Sequence, residues 1–201
     1  MTKDRVFELI SGHPALDLVN TLDWRFRDTG SEDLLGSYLD LLSFIRQSGL
    51  ITAPQARRLA LLGSTKGARV LKRVLDLREA AAQVFYAVID GGSVPQASIK
   101  RLEILFRDAR SHRHLVWRAP RLEWEIPQSS LSVELPLWIL SLSTEELMKS
   151  DDMQRLRACN NPGCRWLFLD TSKNHTRRWC DMKVCGNRMK ARRFKALHRA
   201  N

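Results

Sequence analysis

Cys159-Asn-Asn-Pro-Gly-Cys164 and, fifteen residues further on, Cys180-Asp-Met-Lys-Val-Cys185 hold all four cysteines of this 201-residue chain. The pattern C-x4-C-x15-C-x4-C supplies four thiolates in two pairs, the donor set that closes a tetrahedral structural Zn2+ site. Asn160, Asn161, Pro162 and Gly163 lie inside the first pair and Gly186 follows the second, turn chemistry that lets both sulfurs of a pair face one ion. Between the pairs, Arg165-Trp-Leu-Phe-Leu169 is a short apolar run ending at Asp170-Thr-Ser-Lys-Asn174, which reads as a strand entering a turn. Knuckle, strand, turn, second pair and helix follow one another in a treble-clef-like order. Two disulfides would use the same four residues. However, Met1-Thr-Lys-Asp-Arg5 does not open a signal peptide, so a reducing cytosol is expected, where disulfides are rare. The C-x4-C spacing also lacks the C-x-x-C arrangement of redox motifs. With all four positions filled, the expected cofactor is one structural Zn2+ held by Cys159, Cys164, Cys180 and Cys185, with no open catalytic position.

Directly after the second pair comes Gly186-Asn-Arg-Met-Lys-Ala-Arg-Arg-Phe194. On a helical wheel Arg188, Arg192, Lys195 and Arg199 stack at i, i+4, i+7 and i+11, with Lys190 and Arg193 to the side. Met189, Phe194 and Leu197 remain for packing, and Asn187 is a candidate cap. Arg177 and Arg178 extend the basic patch on the approach to Trp179, which with Trp166 is expected to cover the knuckles. The net charge of +11 is concentrated here: residues 1–150 carry 20 Lys+Arg against 18 Asp+Glu, residues 151–201 carry 13 against 4. A near-neutral body with a strongly basic module points to a polyanionic partner. Arginine suits that role because its planar fork bonds phosphate oxygens or a guanine edge in pairs.

Trp179-Cys-Asp-Met-Lys-Val-Cys-Gly-Asn-Arg188, with Cys159-Asn-Asn-Pro-Gly-Cys164 and Leu169-Asp170 before it, resembles the CGNR zinc finger, named for residues matching Cys185, Gly186, Asn187 and Arg188. In that family the finger follows an N-terminal ABATE-type domain, and the proteins are described as stress-induced bacterial transcription regulators. Leu16-Asp-Leu-Val-Asn-Thr21 is similar to the opening motif of that domain, so the resemblance spans the chain. It implies an ABATE-like sensor or ligand-binding domain over residues 1–150, a CGNR finger over 151–201, DNA as partner and a nucleoid-associated cytoplasmic protein. It also places interest on Asp17, Asn20, Thr21 and Arg25 as contacts to a small ligand, with local capping and interhelical bonds as the alternative use of the first three.

The remainder reads as helices. Val6-Phe-Glu-Leu-Ile10 suggests a short strand, and Pro14 opens a helix to about Arg27 with Leu18, Val19, Leu22 and Phe26 inward. Ser31 is expected to cap a helix that carries Leu34, Leu35, Tyr38, Leu41, Leu42 and Ile45 on its apolar face and stops near Ser48-Gly49, and Thr52-Ala-Pro-Gln55 to start another through Leu62. Gly63-Ser-Thr-Lys-Gly67 should interrupt it before a central helix from Ala68 to Ile89. Gly91-Gly92 stops that helix and Pro95-Gln96 opens the next, to about Ala109. Leu115-Val116-Trp117 and Leu122–Ile126, around Ala119-Pro-Arg121, form a β-hairpin with Trp117 toward the core. His112 and His114 have no third ligand nearby. Leu131–Leu147 is helical again, with Pro136 at a kink or first turn and a fresh start at Ser143-Thr144. The expected fold class is α+β: a predominantly helical N-terminal domain with a short N-terminal strand and a β-hairpin, plus a small C-terminal treble-clef-like zinc finger.

A hydrophobic fraction of 44% and the lack of any apolar run near 18 residues exclude a membrane-spanning or disordered chain. No glycine-rich phosphate loop, G-x-S-x-G elbow or H-E-x-x-H helix is present, so no enzyme is indicated. A DNA-binding regulator leads; an RNA- or ribosome-associated zinc protein, an enzyme with a localising finger and a protein–protein adaptor follow. A single finger makes few base contacts, so a homodimer or an added element would supply the specificity a regulator needs.

Overall fold

Thr52 and Gln55 begin the element against which the others pack. The Gln55 N–H donates to Thr52 Oγ1 (3.4 Å) and the Thr52 N–H to Gln55 Oε1 (2.8 Å), a reciprocal capping box. The helix it starts runs without interruption from Ala53 to Asp90 and ends at Gly91 in the left-handed region (φ 66°). Gly63 and Gly67 therefore do not break it. They lie one turn apart and face the Tyr38 ring, where a Cβ on Gly67 would fall 2.6 Å from Tyr38 Cγ and one on Gly63 would strike the ring edge. The Tyr38 hydroxyl donates to the Val133 carbonyl at 2.8 Å, which fixes the ring in this slot. Each glycine costs the helix about 1 kcal/mol against alanine; the close approach of Tyr38 is what they permit.

The computed structural model describes residues 5–127 and 131–199, apart from the side chains of residues 64, 193 and 195–199. In chain order the elements are α1 (Pro14–Asn20), β1 (Leu22–Asp23), β2 (Glu32–Asp33), α2 (Tyr38–Gln47), α3 (Ala53–Asp90), α4 (Gln96–Ser111), β3 (His114–Arg118), β4 (Arg121–Glu125), α5 (Leu135–Lys149), β5 (Leu156–Ala158), β6 (Leu167–Leu169) and α6 (Asn187–Arg199). Among the described residues the strands pair two by two and antiparallel: β1 with β2, β3 with β4, β5 with β6. The predominantly helical α+β architecture stands, with several local corrections.

Residues 6–10 run outside any ladder; the Phe7 N–H donates to the Gln47 side chain rather than to a strand partner. Helix α1 is about two turns long, not four: it ends at Thr21, Leu22–Asp23 pair in β1, and Trp24 turns the chain away with a positive φ (51°), which leaves Phe26 44% exposed. Ser31 caps nothing. Ser37 is the N-cap of α2, accepting from the Asp40 N–H, and Glu32–Asp33 form β2. Helix α2 ends in a Schellman turn, with Gly49 (φ 73°) donating to Arg46 and Leu50 to Ile45. Helix α5 is continuous through Ser143 because the Thr144 hydroxyl donates back to the Leu140 carbonyl (2.7 Å) instead of capping a new helix.

Helices α2 to α5 enclose the main apolar core. A second core joins Leu16 and Val19 of α1, Ala81 and Phe85 of α3 and Leu147 of α5 to Leu156, Leu167 and Leu169 of the β5–β6 pair. Through it the cysteine-rich lobe and the helical body share buried side chains. His112 stacks on Trp138 with ring centroids 3.6 Å apart and takes part in no metal cluster among the described residues.

Candidate metal centre and nucleic-acid interface

The first cysteine pair closes because the Asn161 carbonyl accepts from the N–H groups of both Cys164 and Arg165 (3.0 Å each), and Arg165 takes a positive φ of 50° to complete the turn. Strand β6 then carries the chain away along β5, in the register Leu156↔Leu169 and Ala158↔Leu167. The second pair is built on a wide turn over Met182–Gly186. Asp181 caps it by accepting from the Val184 N–H (2.8 Å), and the Gly186 N–H reaches back five residues to the Asp181 carbonyl (3.1 Å). Helix α6 continues from this turn, so Asp181 and not Asn187 supplies the cap.

These two turns bring the four sulfurs within 4.8 Å of one another, all buried and none in a disulfide, with Cys164 and Cys180 Sγ 3.7 Å apart. A tetrahedral zinc with Zn–S bonds of about 2.3 Å sets its sulfurs about 3.8 Å apart, so the donor set fits one Zn2+. Hydrogen bonding from the Cys164 sulfur first, then from Cys180 and Cys185, holds the Cys159 thiol well below its ordinary value. Asn161, fully buried, directs its side-chain N–H to Cys185 Sγ at 3.6 Å while its Oδ1 accepts from the Gly163 N–H. Sequence reading passed over this outer contact, although an Asn inside a cysteine turn is the signal for it. Trp166 is buried and donates to Asp23 (2.9 Å); Trp179 is half-buried beside the thiols.

Among the cations expected to meet nucleic acid, Arg178, Arg188, Lys190 and Arg192 are exposed. The Arg188 guanidinium lies over the Trp24 ring at 4.7 Å, and that of Arg178 over Trp179 at 5.8 Å. Arg177 is turned inward. It sits 4.3 Å above the Phe168 ring, donates to the Trp179 and Cys180 carbonyls, and gives its own N–H to Asp170 (2.9 Å), so it braces the second knuckle. The side chains of Arg193, Lys195 and Arg199 lie outside the described ones. Phe194 is 61% exposed rather than packed inward.

The four residues expected to meet a small ligand are placed around α1, and each already has protein partners. Asp17 accepts from the Ser11 N–H (3.1 Å); Asn20 accepts from the Leu167 N–H (2.8 Å) and donates to the Leu167 carbonyl (2.9 Å). The Ser11 carbonyl in turn accepts from the Leu169 N–H (2.8 Å). Alternate residues of β6 thus bond outward to α1 and the segment before it, which close the free edge of the β5–β6 pair. Thr21 accepts from Arg78, and Arg25 forms a two-pronged bond to Glu79. Arg78, 3% exposed in the middle of α3, also holds both oxygens of Asp33 (2.8 and 2.7 Å). Its position on the apolar stripe with Val74, Leu77, Ala81 and Phe85 was the available sign of a buried, paired cation.

The model of the family described as "Putative stress-induced transcription regulator", ABATE, matches residues 12–150. The chain belongs to the ABATE family. The CGNR zinc finger model matches residues 155–198, which include all four cysteines of the metal centre. No curated protein matches the sequence. In the ABATE part, the opening motif Leu16–Thr21 is the polar and apolar seat of the CGNR finger, and among the described residues no helix is long and apolar enough to cross a membrane.

Proposed function

We propose that this ABATE-family protein is a transcription regulator that binds DNA through the first turns of α6. The observation that carries the reading is the seating of α6 directly on the metal knuckle of Cys185, with Arg188, Lys190 and Arg192 exposed along it and Arg178 on the adjoining loop. A helix whose start is pinned by a metal keeps its cations at fixed positions, which suits docking on a phosphate backbone or in a groove. The zinc contributes folding energy and no chemistry; deprotonated sulfur ligands are all it needs from the chain.

Small-ligand sensing, on this reading, belongs to a cleft of about 1030 Å3 between β4, α4 and α5, lined by Arg113, Trp124, Ile126, Leu135, Ile139 and Glu145 among others. Asp17, Asn20, Thr21 and Arg25 do not line it.

Fluorescence anisotropy of a labelled DNA duplex and a matched RNA duplex, over a salt series and with or without a zinc chelator, tests the DNA reading. Four phosphate contacts predict a log–log salt slope near −3.6 on DNA, at about −0.9 per contact. Arg192→Ser should reduce its magnitude by about 0.9. Tighter binding to RNA would favour the RNA-associated alternative, and no binding at low salt with zinc present would remove both.

A further inference from the structure

The β3–β4 hairpin projects its side chains to two unlike faces. His114, Val116, Arg118, Arg121, Glu123 and Glu125 share one, where Arg118 bonds Glu125 in a two-pronged pair (2.8 and 2.9 Å) and Arg121 bonds Glu123 (2.5 Å). Charge on that face is matched within the hairpin. The other face carries Leu115, Trp117, Leu122 and Trp124, exposed by 50%, 62%, 57% and 56%. Alternation of this kind normally marks a face packed on a core. Among the described residues Leu115, Trp117 and Leu122 carry no packed cover, while Trp124, at the corner that borders the cleft, has the Arg113 guanidinium over its ring (5.9 Å to the centroid).

We infer that this apolar hairpin face is the contact between two copies of the chain, which form a two-fold dimer. The register makes the face self-complementary. Leu115 pairs with Trp124 and Trp117 with Leu122, so the leucines occupy one diagonal of a four-residue square and the tryptophans the other. When a second copy is laid face to face by a two-fold axis along the strands, Leu115 meets the copy's Trp124 and Trp117 its Leu122. With the axis across the strands, Leu115 meets Trp117 and Leu122 meets Trp124. Under either axis every large ring opposes a smaller side chain, as interdigitation of stacked sheets requires.

The area is sufficient. The exposed parts of the four side chains amount to roughly 500 Å2 per copy, within the range of functional patches on single chains. Two copies bring together about 1,000 Å2, the size at which specific interfaces begin. Aromatic anchors at the centre of such a patch are the side chains that dominate binding energy. The inference does not depend on DNA binding; where that reading holds, a dimer carries two fingers to two half-sites.

Sedimentation velocity of the zinc-loaded full-length protein, without nucleic acid, tests it over a concentration range of roughly 1–100 μM. The expected result is a shift from 23.1 kDa to twice that mass. Trp117→Ser should weaken self-association at least tenfold, whereas Arg118→Ser on the opposite face should leave it unchanged. Unaltered zinc content and circular dichroism in both variants show that the fold survives. The tryptophan emission of the wild type should move to shorter wavelength as the dimer forms. A wild type that remains monomeric throughout overturns the inference. So does a dimer that survives Trp117→Ser, which would leave the face to a different protein.

Discussion

Asn20→Ala separates a finger that merely follows the helical body in sequence from one built into it. In the structure the Asn20 amide makes both of its bonds to one residue 147 positions away, accepting from the Leu167 N–H at 2.8 Å and donating to the Leu167 carbonyl at 2.9 Å. Leu167 is fully buried and Asn20 is 4% exposed, so no solvent replaces the amide once it is truncated. Leaving a buried donor or acceptor without a partner costs about 1–3 kcal/mol each. The substitution should therefore cost roughly 2–5 kcal/mol, a large share of the 5–15 kcal/mol typical of a whole domain. Asn20→Asp should do no better, since a carboxylate can accept from the Leu167 N–H but repels its carbonyl. Urea unfolding followed by circular dichroism measures the loss, and transfer of zinc to a chromophoric chelator measures its reach. Faster zinc loss is expected, because the strand between the two cysteine pairs loses its outer edge. A loss below about 0.5 kcal/mol together with unchanged zinc release would refute the argument that α1 holds the finger strand.

Four further outcomes follow from the same geometry. Gly67→Ala, which in an isolated helix would gain about 1 kcal/mol, should destabilise by about 1–3 kcal/mol in thermal unfolding because the new methyl meets the Tyr38 ring. Tyr38→Ala combined with it should recover part of the helix gain. Arg78→Met should cost about 1–3 kcal/mol by leaving the buried Thr21 hydroxyl and the solvent-facing Asp33 carboxylate without their shared cation. Chelation, or Cys185→Ser, should unfold the 155–170 strand pair with the knuckles, read as loss of near-ultraviolet dichroism from Trp166 and Trp179. Burial pushes the Asp17 carboxyl up to about 6 from 3.8, so the fold favours its neutral form and gains stability from it as pH falls through 6 toward 3.8. His13, held below 6.5 by burial, works in the opposite sense as pH falls, so the Asp17 share is read from Asp17→Asn. That variant should exceed the wild type in Tm at pH 8, by at most about 3 kcal/mol of stability, with the margin closing near pH 4.

What the sequence made legible was local. The cysteine turns, the helix start at Thr52, the stop at Gly91 and the alternation of the hairpin are each decided within a few residues, and the structure has them. Gly63 and Gly67 read as a break because glycine lowers helix propensity, whereas their use is to admit a ring from a helix that lies 25 or more residues earlier. Trp117 reads as core because alternation implies a covered face, and the cover is not a local property. Asp17 and Asn20 leave two uses open, ligand contacts by the family resemblance or local and interhelical hydrogen bonds, and their partners are backbone groups, Ser11 six residues before Asp17 and Leu167 near the other end of the chain for Asn20. Arg177 stands beside Arg178 with nothing in composition to distinguish them, yet only the Arg177 side chain reaches the Trp179 and Cys180 carbonyls.

The charge division between residues 1–150 and 151–201 invites a picture of a neutral sensor joined by a boundary to a basic reader. The hydrogen bonds contradict the mechanical half of that picture. Residues 167 and 169 of β6 point their outward N–H groups to Asn20 and Ser11, and Ser11 is itself held by Asp17, three residues from Asn20 on α1. The seven-residue helix α1 and the segment before it thereby stand where a third strand would, and they fix the finger strand at two alternate positions. Arg165 adds an ion pair to Asp90 at the end of α3, Tyr86 donates to the Arg165 carbonyl, and Arg188 rests over Trp24. The start of α6 is therefore referenced to α1 and α3 as well as to the metal. A displacement of α1 by an ångström would lengthen the Asn20 bonds beyond hydrogen-bonding distance. A displacement of α1 is thus felt directly by the strand that lies between the two cysteine pairs.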